Sequence, residues 1–113
     1  MRIGVKGRNV VVSDDLRQRV EKRFEKVARQ VSDLAQLEVE LCQERNPAIR
    51  DRHVAEATLY LKGTTLRARE ASDSLVHSIN LLEEDVARQV KRHRDKRRGR
   101  RQALPVQPEQ IAP

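Results

Sequence analysis

The sequence has few of the residues that several classes of protein need. Of its 113 residues one is cysteine, Cys42, and two are aromatic, Phe24 and Tyr60. A single cysteine excludes an intramolecular disulfide and a zinc site of standard ligand spacing, and it fits a reducing cytosolic location. Proteins that hold single-stranded nucleic acid by base stacking use several aromatic side chains. This chain cannot build such a stacking platform.

Long apolar runs and catalytic motifs are also absent. No stretch approaches the ~20 apolar residues that span a bilayer, and the N-terminus lacks the apolar segment of a signal peptide. There is no glycine-rich nucleotide loop, and the histidines His53, His77 and His93 are scattered. We therefore expect a cytoplasmic protein without catalytic residues, without metal or other cofactors, and without a small-molecule substrate or a membrane partner.

Positive charge, in contrast, is concentrated in one segment. Residues 88–101 contain nine of the 24 basic residues and one acid, Asp95, a formal charge of +8. The other 99 residues hold fifteen basic and sixteen acidic residues, a formal charge of −1. Clustered Lys and Arg release counterions from phosphates, which drives binding to nucleic acid of any sequence. Basic segments also bind anionic membranes and acidic proteins, so charge alone leaves the partner open.

The spacing of apolar residues predicts four strands and two helices. Alternation indicates strands at residues 2–6, 37–41, 54–61 and 64–71, with a tight turn at residues 62–63. Ser13 is a typical N-cap for the first helix, and Asp73 or Ser74 for the second. The apolar residues of each helix fall on one face: Leu16, Val20, Phe24, Val27 and Val31 in the first, and Leu75, Ile79, Leu82, Val86 and Val90 in the second.

These elements predict an α+β fold of order β-α-β-β-β-α, with both helices packed on one face of a four-stranded sheet. The second helix is expected to continue to about Arg98, beyond its last apolar residue, and so to project from the body. We expect residues 1–98 to form the domain and residues 99–113 a basic to Pro-containing disordered tail.

A second stripe on the first predicted helix is basic. Its residues share one flank of the apolar face, whereas Glu21 and Glu25 fall on the opposite flank. A solvated face with salt bridges is the alternative interpretation, but segregation of the two signs favours a binding surface. The basic residues are Arg19, Lys22, Arg23, Lys26 and Arg29.

The sheet face away from the helices is predicted to be acidic and therefore to repel phosphate. Its glutamates would be Glu38, Glu40, Glu56 and Glu70, among Thr58, Tyr60, Lys62, Arg67 and Arg69. The helical side is thus the better surface for nucleic acid.

Three segments, in this order and spacing, resemble the ribosome hibernation-promoting factor family over about residues 1–98. They are GRNVVVSDDLRQRVEKRFEKVAR, VAEATLYLKGTTLRARE and ARQVKRHRDK, the last with the Arg-Gln and alternating basic residues of the family. The family commonly has Asp-Met-Tyr at the start of the second helix and an Asp soon after. Here Ser74-Leu75-Val76 and Asn80 stand there, so the roles of that Tyr and Asp are not carried over.

The resemblance implies a fold related to double-stranded-RNA-binding domains and a short form or isolated N-terminal domain of the family. It implies a chain, monomeric when free, that binds the small ribosomal subunit and its rRNA in the channel for messenger and transfer RNA, and that inhibits translation by occlusion. The first contacts it implies are Arg88, Lys91, Arg92, Arg94, Lys96 and Arg97, followed by the basic stripe of the first helix.

Two alternatives stay open from the residues alone. One is a generic structured-RNA or DNA-binding domain without ribosome specificity, which any duplex would titrate. The other is a basic helix that docks on an acidic protein partner, for which nuclease would leave binding unchanged.

Overall fold

A computed structural model of the chain describes the backbone of residues 1–111 and the side chains of residues 1–99. The predicted α+β fold is confirmed, with four strands in one sheet of order β1-β2-β3-β4. The strands are β1 (Arg2–Arg8), β2 (Gln36–Gln43), β3 (His53–Leu61) and β4 (Thr64–Ser72).

The pairing of the strands follows from their connections. β2, β3 and β4 form an antiparallel meander, and β3 turns into β4 at Gly63, whose φ of 79° favours a residue without Cβ. β1 pairs in parallel with β2 because the chain between them crosses one face of the sheet as a helix. β1 and β4 are therefore the two edge strands.

Three helical segments follow the predicted apolar spacing. They are α1 (Asp14–Arg23), the single turn α2 (Glu25–Ala28) and α3 (Leu75–Ile111). Their apolar residues pack on one face of the sheet, where the fully buried side chains of Leu37 and Leu59 meet them. The buried helical residues are Val20, Phe24, Val27, Ile79, Leu82, Val86 and Val90, while Leu16, Val31 and Leu75 are partly buried against this core.

The first predicted helix is interrupted at Phe24. There the backbone departs from helical geometry, with φ −89° and ψ 6°, between the end of α1 and the start of α2. Phe24 is fully buried and is among the largest side chains of the core. Phe24 and Val27 are both buried, so the interruption removes neither residue from the core.

The last helix is longer than the sequence predicts. Its backbone is helical to Ile111 rather than ending near Arg98. Residues 100–104 are mostly good helix formers, so propensity accounts for the first part of this extension but not for Pro105 and Pro108. The division into a domain of residues 1–98 and a disordered tail stays a prediction, and residues 112–113 lie outside the described part of the chain.

A buried polar contact holds the start of α3 against the sheet. The Ser78 hydroxyl donates to the His53 carbonyl at 2.6 Å and lies 2.6 Å from the Ser72 hydroxyl. Ser72 in turn donates to the carbonyl of Ser74, just before the helix begins. Buried hydroxyls are costly unless they are bonded in this way.

The sheet face away from the helices is not the acidic patch that the sequence predicts. Glu70 shares the phase of Leu66 and Ala68 and lies on the helix-covered side, because side chains on a strand alternate between faces. β1 adds basic residues that the prediction omitted. The charged residues of this open face are Arg2, Lys6, Arg8, Glu38, Glu40, Glu56, Arg67 and Arg69.

Ion pairs across the strands neutralise much of the open face. Glu40 accepts from both Lys6 and Arg8, each at 3.5 Å, and Glu56 pairs with Arg69 at 3.3 Å. A hydrogen bond to the Cys42 side chain, together with its charge and that of Glu40, raises the pKa of Arg8. The open face is thus mixed in charge, and its net positive charge is smaller than that of residues 88–98 of α3, which hold seven basic residues and one acid.

Candidate nucleic-acid interface

The two long helices run side by side in the same direction. Strand register connects Arg8, at the end of β1, with Ala71, near the end of β4. α1 begins six residues after Arg8 and α3 begins four residues after Ala71, so both start at the same end of the sheet. Basic residues near the ends of both helices are consequently carried towards the opposite end of the domain.

A groove between α1 and α3 collects all five basic residues predicted on the first helix. We call it the helix groove. Asn80 and Glu83 of α3 form its other wall. From the first helix it is lined by Asp15, Gln18, Arg19, Lys22, Arg23, Glu25, Lys26 and Arg29.

The sequence around α1 stabilises this stripe locally. The Ser13 hydroxyl accepts a hydrogen bond from the Leu16 N–H at 3.2 Å, as an N-cap does. Asp14 and Asp15 lie in the first turn of α1 and Lys22 and Arg23 in its last turn. Both placements are favourable to the helix dipole, so the basic end of the stripe is also the end where cations stabilise the helix.

Arg23 is engaged within the protein rather than free in the groove. Its Nε lies 3.3 Å from Glu83 Oε1, and its Nη2 lies 3.8 Å from Glu84 Oε1. The Nε–H is not aimed at an acceptor, so the contact is an ion pair without a hydrogen bond there. Glu83 is only 8% exposed. The pair therefore joins α1 to α3 and keeps a nearly buried carboxylate compensated.

Glu25 is a correction to the sequence analysis. It was expected on the flank opposite the basic stripe, but it lines the helix groove together with Lys22 and Lys26. The cause is helix spacing, because Glu25 precedes Arg29 by four residues and the two are therefore neighbours on a helix surface. The groove consequently holds five basic and three acidic residues, with its positive charge reduced near Glu25 and Glu83.

The second cationic surface is the outer side of α3, which we call the cationic segment (residues 88–98). Five of its six predicted contact residues are exposed, and Arg94 is half-buried. The Nε of Arg94 is buried and has no hydrogen-bond partner among the described residues. A shallow depression on this surface is lined by Arg88, Lys91, Arg92, Asp95 and Lys96, and Arg97 is exposed beside it.

The helix groove extends to the level along the helix axes at which the cationic segment begins. Arg23 lies opposite Glu83, and the helices are parallel, so Arg29 lies about level with the start of the cationic segment. Asn80 and Glu83 were not predicted as parts of the groove. Glu83 could have been predicted, because it follows Ile79 by four residues and therefore borders the apolar face of α3.

Within the described residues no cluster of His, Cys, Asp or Glu could hold a metal ion. The same part of the chain contains no helix that is apolar enough over a sufficient length to cross a bilayer. The two surfaces consist mainly of exposed basic side chains, the residue type that interacts with phosphates.

Comparison with known families agrees with this arrangement. Residues 3–98 match the family of the sigma 54 modulation protein / S30EA ribosomal protein. The match covers most of the chain, including both cationic surfaces.

Curated relatives carry ribosome-related names. The chain is 31% identical over 114 residues to a ribosome hibernation promotion factor of Picosynechococcus sp., covering all of this chain and 59% of the relative. It is 29% identical over 96 residues to a ribosome hibernation promoting factor of Salmonella typhimurium, covering 85% of this chain and 96% of that protein. The chain thus spans little more than half the length of the first relative and almost all of the second.

Solved structures share the fold. The N-terminal domain of Thermus thermophilus Protein Y superposes with a TM-score of 0.70 at 26% identity, covering 82% of this chain and 99% of that domain. A ribosomal subunit interface protein from Coxiella burnetii superposes with a TM-score of 0.71, covering 84% of this chain and 99% of that one; at 20% identity, this likeness concerns the fold alone. The chain belongs to the sigma 54 modulation protein / S30EA ribosomal protein family, as the resemblance predicted.

Proposed function

We propose that this family member binds the small ribosomal subunit, near the decoding region of the channel for messenger and transfer RNA, and so inhibits translation by occupying that space. It acts in the cytoplasm, as a monomer when free, and performs no chemistry. The observation that carries the proposal is the presence of two basic surfaces, the helix groove and the cationic segment, on the helical side of one small domain. The names of the relatives support the ribosome as the partner.

The shape of the domain suits folded rRNA. After Val90, the last buried apolar residue of α3 among the described side chains, residues 91–98 contain no apolar residue and carry basic residues on most sides. A narrow cationic rod of this kind can enter between phosphate-lined walls while the basic stripe of α1 contacts phosphates at the entrance. Recognition then depends on phosphates, sugars and the spacing of RNA elements, in keeping with the shortage of aromatic side chains.

Inhibition would follow from occupancy. A domain seated in the channel excludes messenger and transfer RNA by volume and by covering the phosphates that line the channel. No residue needs to react, and the subunit becomes active again when the protein leaves. Because phosphate contacts dominate, affinity would fall roughly 10³-fold or more between 50 and 200 mM salt if six or more phosphates are covered, by analogy with duplex DNA.

Preloading the channel tests occlusion. The purified chain is added to vacant small subunits and to subunits carrying messenger RNA and initiator transfer RNA, and bound protein is measured after sedimentation. We expect binding to vacant subunits and little binding to loaded ones. Equal binding to both would contradict occupation of the channel. Binding that persists after the rRNA has been digested with nuclease would instead favour an acidic protein partner.

A further inference from the structure

Gln89 joins α3 to the edge of the sheet in the last turn before the helix leaves the body. Its side-chain Nε2 donates to the carbonyl oxygen of Arg67 on β4 at 2.8 Å and to Asp85 Oδ1 at 3.1 Å. The side chain is half-buried. The next residue, Val90, is the last buried apolar residue of α3 among the described side chains.

The bond to Arg67 occurs at an edge strand. β4 pairs with β3 on one side only, so alternate backbone groups on its other side lack a strand partner among the described residues. The Arg67 carbonyl is one of these groups, and Gln89 satisfies it. A primary amide has two N–H donors on one nitrogen, and here one serves the carbonyl and the other the carboxylate. The reversed amide would place its oxygen against two acceptors, so the orientation is determined.

Because Gln89 lies at the start of the cationic segment, a small tilt of α3 at Gln89 would displace the far end of that segment. From Gln89 to Arg98 the helix rises about 13 Å. A tilt of about 10° at Gln89 would move the end of that segment by about 2 Å, and misplacement on that scale weakens contacts that depend on geometry. The buried apolar residues of α3 up to Val90 seat the helix on the sheet, and beyond Val90 only His93 and Arg94 are even half-buried among the described side chains. The bond from Gln89 is therefore the last described hydrogen bond between α3 and the sheet before the helix projects.

We propose that Gln89 is a positioning residue, which sets the direction in which α3 presents its basic residues without itself contacting RNA. This inference rests on the proposed function for its consequence, because the consequence is measured as affinity for the small subunit. Its structural part, the fixed direction of α3, can be measured on the free protein.

The experiment uses two substitutions and a control matched in charge. Gln89→Leu removes the donors without changing charge, and Gln89→Glu keeps the shape but offers only acceptors. Gln36→Glu makes the same change of charge at an exposed site on the open face of the sheet. The direction of α3 is measured as the distribution of distances between two spin labels. The labels are attached to the cysteines introduced by Lys62→Cys and Asp95→Cys in a Cys42→Ala background. Binding is followed by affinity for small subunits without labels.

We expect both Gln89 variants to broaden the distance distribution and to lose roughly tenfold in affinity, the scale of one well-formed hydrogen bond. Gln36→Glu should leave the distribution unchanged. Distributions identical to that of the wild type in both variants would overturn the inference, as would broad distributions with unchanged affinity. If the wild-type chain itself fails to bind subunits, the proposed function fails, and the distance distributions alone decide whether Gln89 fixes the helix.

Discussion

The guanidinium of Arg23 on α1 lies 3.3 Å from the carboxylate of Glu83 on α3, and this ion pair joins the two helices that carry the basic residues. Glu83 is 8% exposed, whereas the side chain of Arg23 is 38% exposed. The pair therefore has its carboxylate inside the protein and its guanidinium at the helix groove. Arg23, one of the predicted RNA-contacting residues, thus holds α1 and α3 together and is not free to bind RNA.

Glu83→Gln should destabilise the protein more than the same substitution at the exposed pair of Glu56 and Arg69. We expect a loss of about 1–2 kcal/mol in the free energy of unfolding for Glu83→Gln, because a nearly buried attraction is removed. Glu56→Gln should cost less than about 1 kcal/mol, since both partners are solvated. Urea unfolding of the two variants checks this, and equal losses would show that the burial of Glu83 does not matter.

Arg23→Gln and Lys22→Gln should separate stability from binding. Arg23→Gln leaves the Glu83 carboxylate uncompensated and should cost about 2–3 kcal/mol of unfolding free energy. Lys22 is exposed in the same groove, so Lys22→Gln should leave stability unchanged and weaken subunit binding severalfold. The reverse pattern, with Arg23→Gln stable and defective in binding, would make Arg23 a phosphate contact.

Neutralising the cationic segment should strongly weaken binding and leave the fold intact. The substitutions are Lys91, Arg92, Lys96 and Arg97 to Gln, all exposed and beyond the apolar face of α3. Arg94 is left out because its side chain is half-buried. A matched control neutralises four exposed basic residues elsewhere: Arg2, Arg50, Lys62 and Arg67.

The measurement is affinity for small subunits as a function of salt, with thermal unfolding in parallel. Each lost phosphate contact makes the slope of log affinity against log salt shallower by about one. The segment variant should therefore have a slope shallower by up to about four. The control should keep most of the wild-type affinity and slope. Equal loss in both variants would mean that net charge alone drives binding.

Ser78→Ala should weaken the seating of α3 on the sheet. The substitution removes a buried hydroxyl that bonds to the His53 carbonyl and to Ser72, and it leaves the Ser72 hydroxyl with one partner fewer. We expect a loss of about 1–3 kcal/mol in the free energy of unfolding. The double variant Ser72→Ala/Ser78→Ala removes both hydroxyls. If neither the single nor the double variant lowers the free energy of unfolding, the buried contact does not contribute to stability.

The strands and helices were predictable because their apolar periods are regular. Val20, Phe24 and Val27 on one helix, and Ile79, Leu82 and Val86 on the other, are buried as their spacing predicts. The parallel pairing of β1 with β2 was outside the reach of that reasoning, because strand neighbours depend on contacts between distant parts of the chain.

The errors in the candidate site have specific physical causes. Glu70 was assigned to the wrong face although the period of two that buries Leu66 and Ala68 places it beside them. Glu25 was placed opposite the basic stripe although it precedes Arg29 by four residues, which makes the two neighbours on a helix surface. The role of Arg23 depends on Glu83, 60 positions away, and that of Gln89 depends on Arg67, 22 positions away. A local sequence pattern contains no information on such contacts.

Co-sedimentation with small ribosomal subunits, at moderate salt and with excess duplex RNA as competitor, tests the central claim most directly. We expect about one chain to be retained per subunit despite the competitor, because the helix groove and the cationic segment together fit a particular arrangement of rRNA phosphates. Transfer of the chain to the duplex would contradict this. It would leave a domain that binds RNA by charge alone.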